Sequence, residues 1–302
     1  MHIYFYRSFL LCSRIFFMMI CCIMYTKLFV SAQTKQSVYL LVRGDDMGIT
    51  HTSNLACMEA YEKGWMKSVE VIVPAPWFPE AARMLRMHPD LDVGVHLALT
   101  SEWDNIKWRP LTCATSLTDS AGYFFPVIWP NKYYDSSRAL ITHSWKIGEI
   151  VRELDRQITV AQQAIPQLSH VSYHMGCNEM NPAVQHVIDS LANLHGLYVD
   201  MSAVQPVNYA GPHRSTSEKI HSFIRMIQQL QPGIYLFVDH PSFDDGEMQA
   251  VYMKGYANVA EDRQGVTDLF TNPQVKNTMD KLNIHLIDYK WLKTHGQSKK
   301  EE

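Results

Sequence analysis

The order of strand-like and helix-like segments predicts an α/β fold on a parallel sheet, closed as a (β/α) barrel rather than spread as an open doubly wound sheet. Three observations carry this. Short β-branched runs alternate with amphipathic segments, the pattern of repeated β-then-α units. No Gly-x-Gly-x-x-Gly follows the first strand, which disfavours the dinucleotide-binding open sheet. No linker composition or internal repeat splits the chain, and 302 residues with 47% hydrophobic content can build one large core.

The first strand is Leu40-Leu41-Val42-Arg43, which runs into Gly44-Asp45-Asp46-Met47-Gly48. Residues 52–63 have helical composition and stop at Gly64, a C-cap. The β-branched run 69–73 ends at Pro74, a helix over 78–88 is entered through Pro79, and residues 92–99 form the next strand. Residues 100–135 have little periodicity but carry Trp103, Trp108 and Trp129, which reads as an extended loop walling a pocket. The clearest amphipathic helix covers 144–164, with Ile147, Ile150, Val151, Leu154 and Ile158 at spacings of three and four. A strand over 168–175, a helix over 182–194, a short strand over 197–200 and a helix over 217–230 follow. The apolar run 234–238 is a strand ending at Asp239-His240-Pro241, and a helix over 274–282 and a strand over 284–287 complete the series.

Residues 1–33 read as a secretory signal peptide. Arg7 and Arg14 precede the apolar run 15–25, and Val30-Ser31-Ala32 supplies small residues before Gln33. The run is short for a membrane span and Lys27 blocks its extension. The expected mature protein is one domain over 34–295 with a polar tail over 296–302, secreted or periplasmic, with no stable membrane span. A net charge of −3 without basic or acidic blocks offers nothing to nucleic acid. Cys57, Cys113 and Cys177 are too sparse for a disulfide framework and too scattered for a zinc finger, so any metal is expected on His and Asp.

Polar groups capable of chemistry recur at strand C-termini: Asp45 and Asp46, His96, His174, and Asp239-His240. In a parallel barrel these ends surround one mouth, where active sites are built. Asp45 and Asp46 repel each other unless a cation sits on one and leaves the other free to accept a proton; the alternative is a solvated turn before Gly48. His96 and His174 could each be core histidines, or they could complete an Asp-His-His set of the kind that holds a divalent ion with a position left open. His170 lies four residues before His174, roughly 13 Å along a strand and too far to share that ion, so it is assigned to structure. Trp103 could stack on a sugar ring or anchor the loop, Arg109 could bind substrate oxygens or a surface carboxylate, and His51 could line the pocket or face solvent. Asp244-Asp245 reads as a solvated turn.

The ordered set of motifs resembles the YdjC family of carbohydrate deacetylases, which includes the chitooligosaccharide deacetylase group. Asp45-Asp46-Met47-Gly48 matches its Asp-Asp-Phe-Gly, and Gly94-Val95-His96-Leu97-Ala98-Leu99-Thr100 matches its Gly-x-His-Leu-x-Leu-Thr. His240-Pro241 follows an apolar strand as in the family, and Arg109-Pro110-Leu111 precedes Leu117-Thr118-Asp119 and Gly122-Tyr123-Phe124, similar to its Leu-x-Asp-x-x-Gly-x-Phe loop. The resemblance implies a distorted TIM-like (β/α) barrel that removes N-acetyl groups from saccharides containing amino sugars. By position it implies Asp46, His96 and His174 as metal ligands, Asp45 as general base and His240 as general acid. Zinc suits the two histidines, and magnesium remains compatible with the carboxylate. One departure stands out: Ser172-Tyr173-His174-Met175-Gly176 replaces the frequent Asp-Ser-His-Gln-His, keeping the first histidine and losing the preceding Asp and the following His. Competing readings are a carbohydrate-binding barrel without catalysis, which has no need of all five residues, and a glycoside hydrolase, whose two carboxyls flank the scissile bond as adjacent aspartates do not readily do.

Overall fold

The computed structural model describes residues 37–295. The leader expected over 1–33 and the tail over 296–302 lie outside the described residues. Seven strands occur among the described residues, and every pairing between them is parallel. They are β1 (Val38–Met47), β2 (Ser68–Val71), β3 (Asp92–Leu97), β4 (Leu168–Tyr173), β5 (Val204–Val207), β6 (Gly233–Asp239) and β7 (Ile284–Ile287). The order across the sheet is β4-β3-β2-β1-β6-β5. Along one edge β1 pairs with β6; along the other it pairs first with β7, at Val38–Leu41, and then with β2, from Arg43 to Met47.

This is a distorted TIM-like barrel, curled around β1 and open between β4 and β5. A cavity of about 560 Å³ fills the opening, lined by Val171, Ser172 and Tyr173 on one side and Val204 and Pro206 on the other. The sequence misleads here: residues 197–200 are not a strand, and β5 begins at Val204, seven residues after the expected start. Pro206 lies inside β5 and lacks a donor, which an edge strand tolerates and a central strand does not. Around the sheet stand α1 (His51–Glu62), α2 (Phe78–Met87), α3 (Ile147–Ala164), α4 (Pro182–Leu194), α5 (Thr216–Gln229), the single turn α6 (Gly246–Gln249), α7 (Val259–Phe270), α8 (Pro273–Lys281) and α9 (Tyr289–His295). Helix α7, which the sequence reading leaves unassigned, packs on α1 and α5. Among the described residues no helix is long and apolar enough to cross a membrane.

Both faces of the central strands are covered. Every residue of β2 and β3 is buried, as expected when helices cover one face of a parallel sheet and the barrel interior the other. The interior is partly polar. Glu70 and His170 meet across β3 because the residue between them in register, pairing with both, is Gly94. A Cβ at Gly94 would collide with the Glu70 carboxylate and the His170 ring. Gly94→Ala is therefore expected to lower the unfolding free energy by about 1–3 kcal/mol, the usual cost of overpacking, as measured by urea denaturation; wild-type stability would show that these strands yield more readily than the packing implies.

Candidate metal and catalytic site

Strand β1 places both aspartates in one pocket through a bulge. Its register against β2 shifts between Gly44 and Met47, and Asp46 takes a left-handed backbone with φ 68°. A non-glycine residue held there costs on the order of 1–2 kcal/mol, and the effect is that neighbouring carboxylates, which a regular strand would send to opposite faces, lie together. Gly48 follows at φ 104°; its N–H donates to Asn54 Oδ1 of α1 at 2.7 Å and its carbonyl accepts from Trp77 N at 2.8 Å, closing the turn.

Asp45 accepts two hydrogen bonds from Arg43, Nε at 2.7 Å and Nη2 at 2.9 Å, and Arg43 Nη1 donates to Tyr289 Oη at 2.8 Å. Asp46 Oδ2 accepts from Arg263 Nη2 at 2.8 Å, while Asp46 Oδ1 is buried without a hydrogen-bond partner among the described residues. That oxygen faces two imidazoles: His174 Nδ1 lies 3.3 Å away and His96 Nε2 3.9 Å away, and one ligand atom from each of the three side chains falls within 4.8 Å of the others. A buried, unpartnered carboxylate oxygen facing two histidines is a donor set suited to a divalent cation, so Asp46, His96 and His174 fit the metal that the sequence motifs imply.

The outer nitrogens of both histidines are engaged. His174 Nε2 pairs with the Glu102 carboxylate at 2.8 Å, and His96 Nδ1 lies 2.7 Å from Ser172 Oγ, opposite in the β3–β4 register. Burial pulls His96 down to about 4, with Asp45 only partly opposing, so it is neutral at pH 7 with a lone pair to offer. Burial would also lower His174, but Glu102 and Asp46 outweigh it and raise it to about 10. A cation bound there must displace that proton, so its affinity rises with pH. Burial would raise Asp46, yet His240, His174 and Arg263 hold it well below the usual carboxylate range.

His240 stands at the rim, 39% exposed, with Nε2 3.9 Å from Asp46 Oδ2 and Nδ1 3.5 Å from Asp239 Oδ1. Burial works to lower it, but Asp46 and Asp239 raise it above the ordinary histidine value. Beside it lies a cavity of about 360 Å³ whose lining includes Tyr209, Lys219, Tyr256 and Arg263.

Five sequence candidates thus come together: Asp45, Asp46, His96, His174 and His240. Three lie differently. Trp103 is buried, with its ring 5.1 Å from the Arg263 guanidinium, so it backs a site residue. Arg109 is exposed and stacks over Tyr123, and His51 pairs with Glu80 beside Trp77. Four contributors escape the sequence reading: Arg43, Glu70, Glu102 and Arg263. Glu70 and Arg43 had a signal, a charge inside an apolar strand; Glu102 and Arg263 had none, the first in an irregular loop and the second on the unassigned α7. Glu102→Gln, which removes the carboxylate from His174, is expected to weaken divalent-metal binding roughly tenfold to a hundredfold by calorimetry; unchanged affinity would remove Glu102 from the support of the site.

The YdjC-like protein family model matches residues 39–281. A carbohydrate deacetylase of Thermus thermophilus is 27% identical over 235 residues, covering 70% of this chain and 80% of that protein. One of Geobacillus stearothermophilus is 26% identical over 265 residues, covering 83% of this chain and 97% of that one. Among solved structures, an Enterococcus faecalis protein assigned to cellobiose-phosphate cleavage superposes with a TM-score of 0.67 at 21% identity, over 85% of this chain and 99% of that one, and so shares the fold. With a match spanning all seven strands but β7 and the tip of β1, and all five converging side chains, this chain belongs to the YdjC-like family.

Proposed function

We propose that this protein is a metal-dependent hydrolase that removes N-acetyl groups from saccharides containing amino sugars. The observation that carries the reading is the unpartnered Asp46 Oδ1 facing His96 and His174, with an acid–base pair, Asp45 and His240, beside it. The deacetylase names of the relatives support the substrate class. Two histidines favour zinc, and magnesium is the second choice. Export belongs to the same proposal and rests on the sequence of residues 1–33.

A divalent ion held by Asp46, His96 and His174 would supply Lewis-acid polarisation of the amide carbonyl and an activated water near neutral pH. The chain's own residues do the proton work. Asp45, fixed by the Arg43 fork, is the base that accepts the attacking water's proton. Arg263 keeps Asp46 turned toward the histidines, and its Nε and Nη1, buried and unpartnered among the described residues, add positive field where the tetrahedral oxyanion develops. His240, whose proton Asp46 and Asp239 help it hold against the effect of burial, stands at the rim and protonates the departing amine, which cannot leave without that proton. Trp129, 41% exposed and packed against Gly176 just past His174, offers a flat face to a sugar ring.

Acetate release from a panel of N-acetylated oligosaccharides tests the reading. Wild type should release acetate, lose this activity with EDTA and regain it with zinc. Asp45→Asn should lower kcat roughly a hundredfold to ten-thousandfold, and full turnover by that variant would end Asp45's role as base. The proton donor is tested by pH. His240 acts as its cation, so activity falls as pH rises through its raised pKa. Asp239→Asn removes one group that raises it, and the alkaline limb of the kcat profile should move to lower pH. A limb that does not move would assign it to another group.

A further inference from the structure

Glu70 belongs to none of the motifs, yet its carboxylate reaches both arms of the site, His96 through Ser172 and Asp45 through Arg43. Its Oε2 accepts from Ser172 Oγ, and Ser172 Oγ lies 2.7 Å from His96 Nδ1. Its Oε1 pairs with His170 Nε2 and lies 3.8 Å from Arg43 Nε, the nitrogen that holds Asp45. Glu70, Ser172 and His170 are all buried, and His170 is stacked on Tyr289 and bonded through Nδ1 to Ser169, whose hydroxyl reaches Asp92. The carboxylate therefore has little freedom to turn.

The direction of each proton follows from the groups present. An ionised carboxylate only accepts, so the single hydroxyl proton of Ser172 is committed to Glu70. Ser172 can then meet His96 Nδ1 only as an acceptor, so Nδ1 carries the ring proton and Nε2, which faces Asp46, is bare. With Asp at position 172 one carboxylate would accept from Nδ1 directly. This chain has Ser172, one hydroxyl too short of charge, and Glu70 on β2 brings the carboxylate from two strands away, through the gap that Gly94 leaves.

We infer that Glu70 is a positioning residue acting through Ser172, fixing the tautomer and orientation of His96 as a metal ligand. The inference rests on the metal reading above, and its test separates the two. Zn²⁺ affinity is measured on the full chain by chelator competition, for wild type, Ser172→Ala, Ser172→Thr, Glu70→Gln and the Glu70→Gln/Ser172→Ala double variant, each checked for folding by circular dichroism. Ser172→Ala should bind Zn²⁺ roughly tenfold to a hundredfold more weakly, and Ser172→Thr, which keeps the hydroxyl, should restore most of it. Glu70→Gln should weaken binding similarly, and the double variant should be no weaker than the weaker single, because both act along one path. Ser172→Ala leaves the Glu70–His170 and Glu70–Arg43 contacts in place and decides the matter if Glu70→Gln does not fold. Wild-type affinity in Ser172→Ala, or additive losses in the double variant, would overturn the inference while leaving the metal site standing. Failure of the wild-type protein to bind Zn²⁺ or another divalent ion would remove the metal reading and the inference with it.

Discussion

The constraint on which the site depends is the cost of gathering negative charge inside a barrel. Asp45, Asp46, Glu70 and Glu102 are each at most 4% exposed, and carboxylates so placed cannot stay ionised without compensation. Each has its own. Arg43 grips Asp45 and approaches Glu70, Arg263 grips Asp46, His170 pairs with Glu70, and His174 pairs with Glu102. Of these carboxylates' buried oxygens, Asp46 Oδ1 has no hydrogen-bond partner among the described residues, and it faces two imidazole nitrogens. That oxygen is what makes Asp46, His96 and His174 a donor set a cation could occupy.

Topology makes this compensation possible. Because all the strands run parallel, side chains from β1, β3, the end of β4 and the end of β6 reach the same mouth, although they span almost two hundred positions. Two local departures from regular geometry finish the placement. The bulge in β1 turns Asp46 to the side of Asp45, and left-handed backbone at Met175 and Gly176 turns the chain immediately after His174. Helix α7 is tied to the segment after His240: Ser242 N donates to the Arg263 carbonyl and Thr267 Oγ1 to the Ser242 carbonyl. The same contacts that seat Arg263 against Asp46 therefore also locate the strand end that carries His240.

The interior also shows how a barrel holds a polar layer beneath a polar mouth. Glu70, Gly94 and His170 occupy one level on three adjacent strands, and the missing side chain in the middle allows the outer two to meet. This layer joins His96 through Ser172 and Asp45 through Arg43, so packing deep in the barrel and side-chain geometry at its rim are set together. In such an arrangement the groups that stabilise the barrel interior and those that orient the site are the same side chains.

By itself the sequence determined the class of fold and pointed to five side chains that the fold brings close together, because both are written in local signals: β-branched runs alternating with helical periodicity, and a titratable residue at the end of a strand. It placed β5 seven residues early because Pro206 disguises an edge strand, and it left α7 unassigned. The compensating groups were decided only by the tertiary structure. Arg43 sits two residues from Asp45, but Arg263 lies 217 residues from Asp46, Glu102 lies 72 from His174 and Glu70 lies 102 from Ser172. A pairing of buried charges depends on which strands and helices become neighbours, and neighbourhood at such separations is a property of the closed fold, not of any stretch of chain.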